Sequence, residues 1–198
     1  MKHPGLINMI SNDSTEKFEW SENNFLKIKS IIDKYPKGKQ QSAVLPVLDI
    51  AQRQNKGWLS KNAIEEVAKT LSMSIIRVME VATFYSMFNL KPVGKNFIQI
   101  CRTTPCWLRG SNKLLDIAKK VTGCELGETS HDNQFTLVEV ECLGACCNAP
   151  MVQINDEYYE DLDETNFSNI LKKLINGNEV KSGSQIGRKS SEPKKENY

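Results

Sequence analysis

Asn96-Phe-Ile-Gln-Ile-Cys-Arg-Thr-Thr-Pro-Cys106 reads as a short buried strand that runs straight into a cysteine loop. Phe97, Ile98 and Ile100 supply the apolar run, and Thr-Thr-Pro ends it. The pattern recurs downstream. Phe135 to Val140 alternates apolar and polar residues as a strand does, and it too runs into cysteines, Cys142-Leu-Gly-Ala-Cys146. Between the two strands, Trp107 to Val121 sets Leu108, Leu114, Leu115, Ala118 and Val121 on one side of a helix. Met151 to Ile154 and Tyr158-Tyr159 flank Asn155-Asp156-Glu157 as a hairpin would, and Thr165 to Ile175 is a last helix ended by Gly177. The order β-α-β-β-β-α points to a thioredoxin-like core. Ala149-Pro150 stands just before the third strand, where such folds hold a cis-proline.

Upstream, the periodicity is helical. Trp20 to Tyr35 carries Phe25, Ile28, Ile31 and Ile32 at helical spacing and stops at Pro36. Ser42 to Gln54 repeats the pattern, with Pro46 early enough to be tolerated and Gly57 beyond its end. Ser60 is placed to cap a third helix, whose buried side is Ala63, Ile64, Val67, Ala68 and Leu71. Ser74 to Phe88 forms a fourth, and Pro92 and Gly94 close the region. The expected fold class is therefore α+β, a helical bundle over 20–92 followed by a thioredoxin-like α/β domain over 93–177. Residues 1–19 are polar and aperiodic, a flexible leader. Residues 178–198 are rich in Lys, Ser, Gly and Glu and read as a disordered tail whose removal should leave the fold intact.

Composition excludes several function classes. Of 198 residues, 39% are hydrophobic and 25% charged, with a net charge of +2. From Asn178 to Tyr198 there are five Lys/Arg against three Asp/Glu, so the tail carries the whole excess. No basic field argues for nucleic acid. No apolar run approaches the roughly 20 residues of a membrane span. The acidic N-terminal region lacks the order of a secretory signal. These features read as a cytoplasmic protein. Six cysteines in a reducing compartment point to metal or redox chemistry rather than to disulfides.

The two cysteine loops are the place for that chemistry. Cys101 and Cys106 form C-x4-C at one strand end, and Cys142 and Cys146 form C-x3-C at the other. Neighbouring strand ends would bring them together, one loop for each iron of a [2Fe–2S] cluster. Thr103, Thr104 and Gly144 keep the loops slim, Cys106 precedes a helix N-terminus, and Arg102 and Arg109 could offset negative charge. Competing readings stay open on spacing alone. A structural zinc site more often uses tighter C-x2-C pairs, and four unrelated buried cysteines are the bland alternative. The thioredoxin C-x-x-C dithiol is absent. Cys147 is a rival to Cys146; its place nearer Pro150 turns it toward the core, which leaves Cys146 as the ligand. Cys124 and His131 have no paired ligand nearby. The stripe Val81, Phe84, Tyr85 and Phe88 reads first as core. No G-x-G-x-x-G and no Ser/His/Asp grouping is found, so the chain has no nucleotide site of its own.

At these residues the sequence closely resembles the thioredoxin-like [2Fe–2S] subunit family of NADH–quinone oxidoreductase (respiratory complex I). It also resembles the small subunits of NAD-linked hydrogenases and formate dehydrogenases. The matching stretches are Gly57-Trp58-Leu59, Val81 to Phe88, Cys101 to Cys106 with Leu108-Arg109-Gly110, Asp132 to Thr136, and Glu141 to Pro150. The resemblance runs from about Phe18 to Asn176. It implies one [2Fe–2S] cluster on Cys101, Cys106, Cys142 and Cys146, with Cys124 and Cys147 at no ligand position. It implies a partner subunit carrying FMN and NADH, a neighbouring iron–sulfur subunit, and an assembly that passes electrons to quinone and translocates protons. The chain would then sit peripherally at the inner face of the energy-transducing membrane, without inserting into it. A free-standing thioredoxin-like ferredoxin is the alternative from another class, and the helical half argues against it.

Overall fold

A computed structural model describes residues 17–193. The chain divides into two units between Val93 and Gly94. The first is helical: α1 (Glu22–Ile32), α2 (Val44–Gln54), α3 (Lys61–Thr70) and α4 (Ile75–Phe84). Ser21 and Ser60 cap α1 and α3, each hydroxyl accepting from the backbone N–H three residues on. Pro46 is the third residue of α2, a position that needs no intrahelical donor. Ala63 is buried, and Ile64, Val67, Ala68 and Leu71 share a core with Val47, Leu48, Ala51, Val78 and Ala82. Helix α4 ends at Phe84 because Tyr85 takes up extended backbone. The aromatic stripe is thereby split: Phe88 is 1% exposed, whereas Phe84 is 80% exposed.

The second unit is a six-stranded mixed sheet with helices. Its elements are β1 (Asn96–Cys101), α5 (Thr104–Leu108), α6 (Ser111–Thr122), β2 (Glu128–Thr129), β3 (Phe135–Val140), β4 (Val152–Ile154), β5 (Glu157–Glu160), α7 (Glu164–Ile175) and β6 (Gly183–Ser184). The strand order is β2-β3-β1-β4-β5-β6. Strands β1 and β3 pair in parallel, from Asn96 opposite Phe135 to Cys101 opposite Val140. Strand β4 runs antiparallel to both β1 and β5. Leu114 and Ala118 of α6 and Phe167, Ile170 and Leu171 of α7 pack with Ile98, Ile100, Leu137 and Val152 of the sheet. Asp163 caps α7 with a reciprocal box through Asn166. The Ala149–Pro150 bond is cis.

Three differences from the sequence reading have physical causes. The single helix expected over Trp107 to Val121 is two, α5 and α6, because the chain turns at Arg109-Gly110; Leu108, expected on the buried side, is 70% exposed. Strands β2 and β6 have two residues each, too few for any period to be visible. The tail expected to be disordered is ordered as far as it is described: β6 pairs in parallel with β5, and Arg188 forms an ion pair with Asp161. Edge pairing and one ion pair need no apolar stripe, so composition does not reveal them. Within the expected leader, Phe18 packs edge-to-face on Trp20, and residues 1–16 lie outside the described part. Among the described residues no helix is long and apolar enough to cross a membrane.

The start of β1 is held by a close backbone approach. The Gly94 N–H donates to Thr136 Oγ1 at 2.7 Å, and a Cβ at Gly94 would lie 2.6 Å from the Phe135 carbonyl carbon. Backbone cannot yield as a side-chain tip can. Gly94→Ala should therefore destabilise the second unit by about 1–3 kcal/mol, read as a melting temperature of that unit lower by about 4 °C or more per kcal/mol.

Candidate metal centre

Parallel pairing puts the C-terminal ends of β1 and β3 at one edge of the sheet, so the loops that follow them leave side by side. Cys101 is the last residue of β1, and Cys106 sits in α5 just beyond. Both are 1% exposed, and they share a small apolar cluster with Ala149 and Met151, flanked by Leu143, Ala145 and Tyr158. Cys142 and Cys146 lie in the loop after β3, are exposed, and bring their sulfurs within 3.2 Å of each other. The centre is thus a buried pair facing an exposed pair.

Small groups order the loops. Thr103 Oγ1 lies 3.3 Å from Cys101 Sγ. The Gly144 N–H donates to Cys142 Sγ at 3.4 Å. Gly144 has φ +87°, a conformation that a side chain at this position would strain. The Tyr158 hydroxyl donates to the Leu143 carbonyl at 2.8 Å and ties the exposed loop to β5. Sequence reasoning missed Tyr158. Its one signal was strand alternation, with Tyr159 inward and Tyr158 toward the loops.

Electrostatics link the four thiols. Burial, reinforced by the Cys101 thiol, pushes the Cys106 pKa up to about 12. The Gly144 N–H, then the Cys146 thiol, lowers that of Cys142. The Cys142 thiol, followed by burial, raises that of Cys146, and Cys101 adds to the effect. Four thiolates in this space resist one another, and cationic metal offsets that resistance. The donors form two pairs of soft ligands. Among the described residues no group of three or more His, Cys, Asp and Glu side chains converges as on a single ion. Two pairs of thiols on adjoining loops fit the ligand demand of a [2Fe–2S] cluster, two thiolates for each iron.

The other sequence candidates are placed differently. Arg102 is tied to Glu139 of β3, so its charge is already matched rather than free to offset a cluster. Arg109 is exposed and lines a surface hollow with Leu108, Gly110 and Pro150. Cys124 is buried against the Phe135 carbonyl, away from the loops. His131 is exposed. The expected inward turn of Cys147 is overturned, because Cys147 is exposed. Cys146, Cys147 and Asn148 form one 3-10 turn, in which successive side chains point about 120° apart. Cys146 meets Cys142, Asn148 is buried, and Cys147 is left outward.

Residues 28–175 match the family model of the thioredoxin-like [2Fe–2S] ferredoxins. The chain is 55% identical over 165 residues to the E-subunit of NADH-quinone oxidoreductase from Rickettsia conorii, covering 83% of this chain and 99% of the relative. It is 48% identical over 181 residues to a mitochondrial NADH dehydrogenase [ubiquinone] flavoprotein 2 of Dictyostelium discoideum, covering 91% of this chain and 73% of the relative. Among solved structures, an NAD+-reducing [NiFe]-hydrogenase in its air-oxidized state shares the fold, with TM-score 0.60 and 19% identity. That match covers 68% of this chain and 23% of the hydrogenase chain.

The outward Cys147 and the paired Cys146 give opposite expectations. Cys147→Ser should leave metal content and stability unchanged, within about 0.5 kcal/mol. Cys146→Ser should lose or strongly alter the paramagnetic signal of the reduced centre. The reverse pattern, read by electron paramagnetic resonance, would move the ligand to Cys147.

Proposed function

Since the chain belongs to the thioredoxin-like [2Fe–2S] ferredoxin family, in the group of NADH-quinone oxidoreductase E-subunits, we propose that it carries electrons within such an oxidoreductase, with Cys101, Cys106, Cys142 and Cys146 holding the cluster. Its cofactor is one [2Fe–2S] cluster, which when bound takes up and releases one electron at a time. The observation that carries the assignment is the meeting of the two cysteine pairs at the ends of β1 and β3. The residues of the chain do the rest. Cys101 and Cys106 anchor the centre against Ala149 and Met151. Gly144 and Thr103 direct hydrogen bonds at sulfur, and such bonds are among the levers that set a cluster's potential.

The chain works as part of a larger assembly. The exposed sulfurs of Cys142 and Cys146 offer a short route for electrons to or from a neighbouring protein. Trp107 and Leu108, next to Cys106, are 53% and 70% exposed and make an apolar rim suited to such a neighbour. Ile75, Ile76, Phe84 and Met87 give the helical unit an exposed apolar surface of its own. We assign the neighbours as the FMN- and NADH-binding subunit and an adjoining iron–sulfur subunit. The whole assembly would pass electrons from NADH to quinone, coupled to proton translocation at the inner face of an energy-transducing membrane. The hydrogenase likeness rests on fold alone and favours no second reading.

The purified chain should contain about two irons and two acid-labile sulfides. Without flavin it should not oxidise NADH, and NADH should reduce its cluster only after the flavin-bearing subunit is added. Zinc without labile sulfide would overturn the cofactor assignment. Fast NADH turnover by the chain alone would overturn the division of labour.

A further inference from the structure

Cys146 has little to hold it in place. Its side chain is exposed and meets the sulfur of Cys142, and it belongs to a 3-10 turn of three residues, Cys146–Asn148. The turn's internal backbone bonds are Asn148 N–H to Ala145 and Ala149 N–H to Cys146. Bonds from outside the turn come both from the end of β5, where Asn148 Nδ2 donates to Glu160 Oε2 at 2.7 Å, and from the C-terminal segment. Arg188 Nη2 donates to the Cys147 carbonyl at 3.0 Å, and Asn148 Nδ2 donates to the Ser190 carbonyl at 2.7 Å. Both residues that follow Cys146 are therefore bonded to a segment some forty residues further along the chain.

The segment is itself anchored. Strand β6 extends the sheet beside β5. Arg188 reaches Asp161, its Nε 2.9 Å from Oδ2 and its Nη2 also on Oδ1, and it donates from Nη1 to the Glu192 carbonyl at 2.8 Å. Its side chain is 10% exposed and that of Asp161 is fully buried. Ser184 Oγ adds a bond to Asp161 Oδ2 at 2.7 Å. Asp161 in turn donates its N–H to the Asn148 carbonyl at 2.7 Å. The rigid, planar guanidinium grips the carboxylate with two N–H groups while aiming another at a carbonyl; an ammonium has three donors but no such fixed fork.

We propose that Arg188 is a positioning residue for the metal centre: with residues 183–190 as a strap, it locks the Cys146–Asn148 turn and thereby sets the position of the Cys146 thiolate. This rests on Cys146 being a ligand, and the test separates the two claims. In full-length protein, the variants are Arg188→Gln, Arg188→Lys and the double variant Asp161→Asn/Arg188→Gln. The double variant guards against misfolding from an unmatched buried carboxylate. Asn also tolerates the positive φ of 53° at position 161. Leu171→Ala, in the core, is the control for loss of stability alone.

Arg188→Gln and the double variant should release iron to a chelator about tenfold faster, the factor that a hydrogen bond from a charged donor is worth. The signal of the reduced centre should shift or broaden. Arg188→Lys should fall between these and the unaltered protein. Leu171→Ala should melt earlier yet keep the unaltered signal. In metal-free protein, amide exchange at 146–149 should speed up in the Arg188 variants, a readout that needs no cluster. The positioning role at the centre is refuted if the double variant keeps the signal and an iron-release rate within about twofold, or if Leu171→Ala reproduces the change; the strap itself is refuted if amide exchange at 146–149 is unaltered in the Arg188 variants. Faster exchange together with an unaltered signal would keep the strap's hold on the turn but refute its effect on the centre. Should the unaltered protein carry no [2Fe–2S] signal, the proposed function fails by itself, and the amide exchange still decides the strap.

Discussion

The parallel pairing of β1 with β3 is the constraint on which everything else depends. Parallel strands end at the same edge, and the register that sets Cys101 opposite Val140 makes two loops distant in sequence begin side by side. A parallel pair needs a crossover, and the segment carrying α5 and α6 supplies it, with α6 packed on the sheet. Slipping β3 by one residue would turn Phe135 and Leu137 away from the core and carry the second loop about 3.3 Å along. The burial of those two side chains therefore fixes the register, and the register fixes where the cysteines meet.

The resulting centre is asymmetric. Cys101 and Cys106 are packed against Ala149 and Met151, whereas Cys142 and Cys146 face outward on a loop held by Gly144, Tyr158 and the C-terminal segment. Burial disfavours ionisation at Cys106, while a backbone N–H favours it at Cys142. Metal that requires four thiolates must overcome the first effect and benefits from the second. Binding and ordering of the loops are accordingly linked.

Much of this was legible in the sequence, and what was missed has identifiable causes. Ser60 and the apolar stripe behind it announced α3, and Asn155-Asp156 announced the β4–β5 hairpin. The four cysteines could be grouped because each pair follows a readable strand. Strand β2 was invisible, since two residues carry no period. The break between α5 and α6 hides in a pattern whose apolar spacing continues across Gly110. Arg102 was read as a free cation because its partner, Glu139, lies on another strand. Arg188 was lost in a polar tail, since a single ion pair with Asp161 leaves no trace in composition. The outward turn of Cys147 follows from 3-10 geometry, which spacing cannot reveal.

The most direct measurement is Mössbauer spectroscopy on full-length protein loaded with iron-57. Two sulfur-coordinated ferric sites forming a diamagnetic pair are expected when the centre is oxidised, and one ferric with one ferrous site after one-electron reduction. A single mononuclear tetrahedral iron, or a spectrum unchanged when Cys101 or Cys142 is replaced by Ser, would contradict a cluster shared between the two loops.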